Sequence, residues 1–211
     1  MSYLKEMSGQ GYNIYNIDDF HKFMIPWLLK YYGVDPGKMV VDIGAGQGHG
    51  FVPLHESGWK NIVAIDIDSY NFKMFRDRFG VESYLCDIGQ QPIPLQDNSV
   101  GAILCFHLIE HLPSPSNLIL ECLRVLEPGG VLLLVTPDWR KQVKTFWRDP
   151  THLRPFDKIG IGRLLRMHGF NASVHSWGSR FGLGRTRAYR VLPVLGLIGI
   201  DLLAVGRKPL C

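Results

Sequence analysis

Residues 40–50 read Val40-Val41-Asp42-Ile43-Gly44-Ala45-Gly46-Gln47-Gly48-His49-Gly50, an apolar run that ends in alternating glycines. Such a run is a short buried strand, and the glycines after it make a tight turn that lets a ligand touch the backbone before a helix begins. The spacing is not that of the dinucleotide fingerprint, which needs glycine at position 49, where His49 stands. A turn that grips a pyrophosphate is therefore disfavoured.

On both sides the chain alternates apolar runs with stretches of helical composition. Upstream, Asp18 or Asp19 can cap a helix through Trp27, Leu28, Leu29 and Tyr32 that Gly33 stops. Strands are expected at 39–43, 62–67, 81–85, 100–106 and 131–136, with a helix at 69–79 between the second and third. Ser114 or Ser116 opens another helix, in which Leu118, Ile119, Cys122, Leu123 and Leu126 share a face and which Pro128, Gly129 and Gly130 stop. A helix at 159–167 and late strands at 171–177 and 200–206 complete the set. Continuous apolar strands alternating with helices imply a parallel sheet covered on both faces, and right-handed crossovers make it a doubly wound α/β sandwich.

With 211 residues, 46% hydrophobic and 20% charged, the chain has the composition of one globular domain over 1–211, which excludes wholesale disorder, coiled coil and a disulfide-stapled scaffold. Cys86, Cys105, Cys122 and Cys211 form no C-x-x-C pair and lie in or beside apolar runs, as reduced thiols of an intracellular protein do. The first twenty residues lack the features of a secretory or transit peptide, and the 16-residue apolar stretch 191–206 is broken by Pro193 and Asp201, so a cytoplasmic protein is expected. Charge is uneven: residues 1–139 hold 9 Lys and Arg against 16 Asp and Glu, a net −7, while residues 140–211 hold 14 against 3, a net +11. That basic third suits an anionic partner, although a solvated basic face needs none.

Asp66 closes the second apolar run, 24 residues after Asp42, where an acid can accept hydrogen bonds from both hydroxyls of an adenosine ribose. Asp87 stands at the same sheet edge after the third run. Asp-x-Gly-x-Gly-x-Gly, then Asp66, then Cys86-Asp87-Ile88 resembles the class I S-adenosylmethionine-dependent methyltransferases. The resemblance continues through Leu95-Gln96-Asp97-Asn98-Ser99-Val100, His107-Leu108-Ile109-Glu110-His111-Leu112 and Leu123-Arg124-Val125-Leu126-Glu127-Pro128-Gly129-Gly130, spanning residues 38–137. It implies S-adenosyl-L-methionine as cofactor and S-adenosyl-L-homocysteine as product. It also implies a Rossmann-like seven-stranded sheet with helices on both faces and the last strand pair antiparallel at one edge. The same resemblance gives the turn of Gly44, Ala45 and Gly46 to the amino-acid part of the cofactor, Asp66 to the ribose and Asp87 to the adenine amino group. Ile67 and Ile88 would sandwich the adenine, Phe106 would offer a backbone contact, and Asp42 would orient either the loop or the ammonium group. Main-chain amides of the turn and the pair of carboxylates would grip the adenosine. Gly101 departs from the pattern, because relatives carry an acid there.

Methyl transfer from a sulfonium is an in-line displacement that needs alignment above all, and an oxygen or nitrogen acceptor also needs a base. His111, after the fourth strand, and His152, in Phe146-Trp147-Arg148-Asp149-Pro150-Thr151-His152-Leu153-Arg154-Pro155-Phe156, are the catalytic candidates. His107, Glu110, His111 and His152 also supply donors of the type that binds a divalent ion. His107, however, replaces a glutamate found in similar RNA and ubiquinone-pathway methyltransferases, so no metal ligand is assigned. Three segments frame this core: an N-terminal helical cap at 1–37, a lid loop at 138–156, and a basic and aliphatic insertion at 178–198. The insertion favours a small amphiphilic or lipid-precursor acceptor and peripheral membrane contact. RNA methylation, supported by the basic excess, and cofactor binding without catalysis are the alternatives.

Overall fold

The computed structural model describes residues 19–177 and 199–210. A helix α1 (Asp19–Tyr31) precedes β1 (Val40–Ile43), α2 (Val52–Glu56), β2 (Ile62–Asp66), α3 (Phe72–Phe79), β3 (Glu82–Leu85) and β4 (Val100–Phe106). Then come α4 (Ser116–Val125), β5 (Leu126–Pro137), α5 (Lys158–Met167), β6 (Asn171–Trp177) and β7 (Asp201–Arg207). The strands form one sheet in the order β3-β2-β1-β4-β5-β7-β6. The first five are parallel, while β7 runs antiparallel to both β5 and β6. This is the expected doubly wound sheet with its antiparallel edge.

Alternate residues of the parallel strands feed two separate cores, as a sheet covered on both faces requires. Val40, Ala64, Leu104 and Leu133 pack with Met24, Ile25, Leu28 and Leu29 of α1 and with Phe51, Leu54, Trp59 and Phe75. Val41, Ile43, Val63, Ile65, Ile103, Leu132 and Leu134 pack instead with Leu118, Ile119, Cys122 and Val125 of α4 and with Ile161 and Leu165 of α5. The described part of the N-terminal cap is thus built into the first core. Cys86, Cys105 and Cys122 are free and buried; Cys211, the first eighteen residues and the insertion at 178–198 lie outside the described residues. No described helix is long and apolar enough to cross a membrane.

The structure departs from the sequence expectations at three boundaries. The glycine turn does not open directly into a helix: turns continue to Phe51, and α2 is only 5 residues long. Helix α3 starts at Phe72 rather than at position 69, because Asp68 accepts the Tyr70 amide (2.8 Å) and the Ser69 carbonyl the Phe72 amide (3.1 Å), a local turn that competes with helix. Most informative is α4, which ends at Val125, before the Pro-Gly-Gly expected to stop it. Leu126 is already extended and pairs with Val100, so Pro128, Gly129 and Gly130 sit inside the irregular start of β5. Arg124 fixes this corner by bonding the carbonyls of Ile93 (2.8 Å) and Leu95 (2.9 Å) and the carboxylates of Asp97 (2.7 Å) and Glu121 (2.6 Å). Gly101 also acquires a reason: a β-carbon there would stand 2.6 Å from that of Lys38.

Candidate active site

Ligands of open parallel sheets bind beyond the carboxyl ends of the strands, where the strand order reverses. Here that point lies between β1 and β4, and the glycine turn leaves β1 at it. Gly44, Gly46 and Gly48 have φ of +73°, +52° and +85°, the left-handed region that glycine tolerates best. The amides of Gly44 (2.8 Å) and Ala45 (3.2 Å) both donate to the Ile65 carbonyl, that of Gly46 to Asp66 Oδ2 (2.8 Å) and that of Gly48 to the Ala45 carbonyl (2.7 Å). These bonds hold the turn in shape. Asn71, which sequence reasoning missed, adds a side-chain bond to the Gly46 carbonyl (2.7 Å).

The two acids of this half are structural before they are anything else. Asp42 is buried, accepts the Phe51 amide and has Oδ2 without a hydrogen-bond partner. Burial pushes its carboxyl up to about 7, with Asp66 adding to the effect and the Phe51 amide opposing it. A β-carbon on Gly50 would come within 2.5–2.8 Å of this carboxylate. Of the two roles left open for Asp42, its place beneath the turn fits orientation of the loop. Asp66 accepts the amides of Gly46 through Oδ2 and of Asp68 (2.9 Å) through Oδ1, so it bolts the turn to the end of β2. The Ile67 amide bonds the same carboxylate, whose two oxygens carry four lone pairs in all, which leaves room for a ribose hydroxyl.

Beyond Asp66 the surface fits an adenine. Ile67 is 69% exposed at the tip of β2, an apolar platform on the rim. Ile88, by contrast, is buried in the second core. Asp87 is half-buried and accepts the Gly89 amide (3.0 Å) and the Gln90 side chain (2.7 Å), which holds its carboxylate still at the end of β3. Phe106 ends β4 half-buried against the first core. A shaped glycine turn, an anchored acid beside it and an exposed apolar rim fit the cofactor that the resemblance implies.

On the far side of β4 three histidines gather around one carboxylate. His107, the first residue past the strand, takes φ +51°, a conformation uncommon outside glycine, and this turns its Nδ1 to within 3.4 Å of Glu110 Oε1. Glu110 is fully buried and accepts Thr136 Oγ1 through Oε2 (3.0 Å). Burial pushes its pKa up, but the facing His107 and, more weakly, His111 outweigh that and hold the carboxyl below its usual range. Withdrawal from water likewise works against a charged His107, and Glu110, with Asp201 farther off, more than offsets it.

His111 and His152 come together, their rings 4.9 Å apart. His152 Nδ1 lies 2.7 Å from the Phe146 carbonyl, and His111 Nδ1 lies 3.2 Å from the Thr151 carbonyl and 2.9 Å from its hydroxyl. A carbonyl only accepts, so these contacts place a proton on Nδ1 and the basic lone pair on Nε2. Ligating atoms of Glu110, His111 and His152 also fall within 4.8 Å of one another. The loop at 138–156 brings His152 here because its ends meet in an Asp138–Phe156 bridge and its amides at Leu153 (2.8 Å) and Arg154 (3.0 Å) donate to the Glu110 carbonyl. Sequence reasoning singled out His111 and His152 but missed Thr136, which the pairing of β4 with β5 brings to Glu110, and Asp201, which the pairing of β5 with β7 brings to His107.

Residues 41–134 match the methyltransferase domain family. A "Probable S-adenosylmethionine-dependent methyltransferase" of Mycolicibacterium smegmatis is 31% identical over 139 residues, 64% of this chain and 52% of that protein. The ubiquinone biosynthesis O-methyltransferase of Xanthomonas oryzae pv. oryzae is 32% identical over 105 residues, 47% of this chain and 43% of that protein. The chain spans about a third to two thirds of the length of the curated relatives it matches. An S-adenosylmethionine-dependent methyltransferase from Archaeoglobus fulgidus shares the fold, with a TM-score of 0.67 at 20% identity over 89% of this chain and 94% of that one. Sequence match and shared fold coincide on the strands that carry the glycine turn and its acids, and together they support a class I S-adenosylmethionine-dependent methyltransferase domain.

Proposed function

We propose that the protein transfers a methyl group from S-adenosyl-L-methionine to the oxygen or nitrogen of a small amphiphilic acceptor, a lipid precursor in particular. When bound, the cofactor supplies a sulfonium methyl; its sulfur keeps the bonding electron pair as the new bond to the acceptor forms. The chain's own share is to hold the adenosine with Asp66, Asp87 and Ile67, align the acceptor and take up its proton. Holding the reacting atoms in line is worth about 7–11 kcal/mol. The proton goes to an imidazole at the mouth of β4. His111 and His152, with Nδ1 tied to backbone carbonyls, offer Nε2 for that step.

The observation that carries this reading is the rigid turn bolted by Asp66 beside an exposed Ile67, with oriented histidines across β4. An amphiphilic acceptor is favoured by the mix of exposed apolar and basic side chains on the lid loop and by the O-methyltransferase of ubiquinone biosynthesis among the relatives. Calorimetry with S-adenosyl-L-homocysteine tests the cofactor site: Asp66→Ala should lose about 2 kcal/mol of binding, and no heat with the unaltered protein would end the proposal. Labelled cofactor incubated with a lipid extract and with RNA then tests the acceptor. Label in the organic phase supports the reading, and label in RNA alone overturns it.

A further inference from the structure

Residues 140–158 of the lid loop and the start of α5 carry six basic residues against two acidic ones. Among them three large apolar side chains stand out to solvent: Val143 (54% exposed), Trp147 (59%) and Leu153 (50%). A tryptophan left that exposed costs hydrophobic free energy in water, about 25 cal/mol per Å² of apolar surface. The loop is well able to tuck an aromatic ring away, since the neighbouring Phe146 is buried, in edge contact with Trp147 and packed against His152.

The basic side chains beside these apolar ones divide in two. Arg140 pairs with Asp157 (3.6 Å), and Lys141 bonds Ser176 (3.1 Å) and the Gly199 carbonyl (2.7 Å), so both serve the loop. Lys144 and Arg148 are exposed and have no partner among the described residues. They flank Val143 and Trp147 directly in sequence, in a segment that hydrogen bonds make stiff. The Thr145 and Phe146 amides donate to the Gln142 carbonyl (2.9 and 2.8 Å), and the Gln142 side chain is held by the Ile200 carbonyl (3.0 Å) and Asp201 (2.8 Å).

We propose that this loop docks on an anionic membrane surface, with Trp147, Val143 and Leu153 in the interfacial layer and Lys144 and Arg148 on lipid phosphates. The occupant follows from chemistry. Tryptophan partitions to the boundary between headgroups and acyl chains, and unpaired cations beside it complement a negative surface. The same loop carries His152 against His111, so docking brings the mouth of the candidate site to the lipid. In that last respect the inference rests on the proposed amphiphilic acceptor; the docking itself does not.

Flotation with vesicles separates the two. The protein should float with vesicles of phosphatidylcholine mixed equally with phosphatidylglycerol, not with phosphatidylcholine alone, and added salt should release it. The pair Lys144→Gln and Arg148→Gln should lower partitioning about thirtyfold, the effect of losing two basic side chains at a charged surface. Trp147→Ala with Val143→Ser should weaken it as well, and Trp147→Phe should abolish the fluorescence quenching by brominated lipid that this residue contributes. All variants should bind S-adenosyl-L-homocysteine as the unaltered protein does, which shows them folded. No flotation, or flotation that the variants leave unchanged, overturns the docking while the methyltransferase reading stands. Loss of affinity for a single-stranded RNA in the lysine and arginine variant, with vesicle binding intact, overturns it equally.

Discussion

Around the glycine turn the polar groups face inward, whereas across β4 half-buried histidines stand over one buried carboxylate. The amides of Gly44, Ala45, Gly46 and Gly48 all donate within the protein, and Asp42 and Asp66 are buried beneath them. His107, His111 and His152 are each fixed through Nδ1, two of them to backbone carbonyls, and they meet at the half-open base of a loop whose tip is exposed. The first half is therefore a preformed mould, stabilised before any ligand arrives. The second is a set of aimed side chains whose surroundings the acceptor must complete. Perturbing the mould should disturb folding and cofactor binding together, whereas perturbing the aimed side chains should leave both in place.

The strongest test of the mould is its buried acid. Asp42 has a folded pKa of about 7 against 3.8 for an ordinary aspartate. Because the folded value is the higher one, the folded chain binds the extra proton. The stability this provides is complete below the unfolded value and is lost as pH rises through the folded value. Between pH 5 and pH 8 the cofactor-free protein should lose on the order of 3 kcal/mol through this group. Asp42→Asn keeps an oxygen for the Phe51 amide and removes the titration. Urea unfolding at the two pH values should show the variant with the flatter dependence; equal slopes would mean that the acid is not buried as described.

Gly50→Ala comes next. Its β-carbon would meet all three carboxylate atoms of Asp42, at 2.5 to 2.8 Å, with a rigid strand behind them. Overpacking of this kind should cost about 2 kcal/mol of stability. Gly58→Ala is the contrast: nothing lies within 4 Å of a β-carbon there, and only its φ of +93° opposes the change. If Gly50→Ala unfolds at the same denaturant concentration as the unaltered protein, the turn is softer than its hydrogen bonds imply.

How much of this was readable in the sequence follows the same division. A backbone that must turn through positive φ writes glycine into the chain, and strands covered on both faces write continuous apolar runs. The doubly wound sheet and the place of Asp42, Gly44, Gly46 and Asp66 were accordingly legible, while the antiparallel edge came only with the family resemblance. What was not legible depends on partners far along the chain. Nothing local in Thr136 or Asp201 announces that they stand beside Glu110 and His107, and nothing in Leu126 says that it pairs with Val100 and ends α4 early. Nor does anything local in the glycine turn say that the amides of Gly44, Ala45 and Gly46 find acceptors in Ile65 and Asp66, about twenty residues on.

The smallest expected effect is the sharpest probe of whether the two halves are independent. The Thr151 hydroxyl bonds His111 Nδ1 (2.9 Å), just past β4, and Asp149 Oδ1 (2.6 Å), on its own loop. Thr151→Val removes that bond while keeping the shape and the Thr151 carbonyl that also faces His111. Stability should change by no more than about 0.5 kcal/mol, the range of exposed substitutions, and affinity for S-adenosyl-L-homocysteine should not change at all. The effect should appear only in the imidazole, as a change in the Nδ1 nuclear magnetic resonance signal of His111. A change in cofactor affinity would show that the histidine side and the glycine side respond as one unit, and the contrast between mould and aimed side chains would fail.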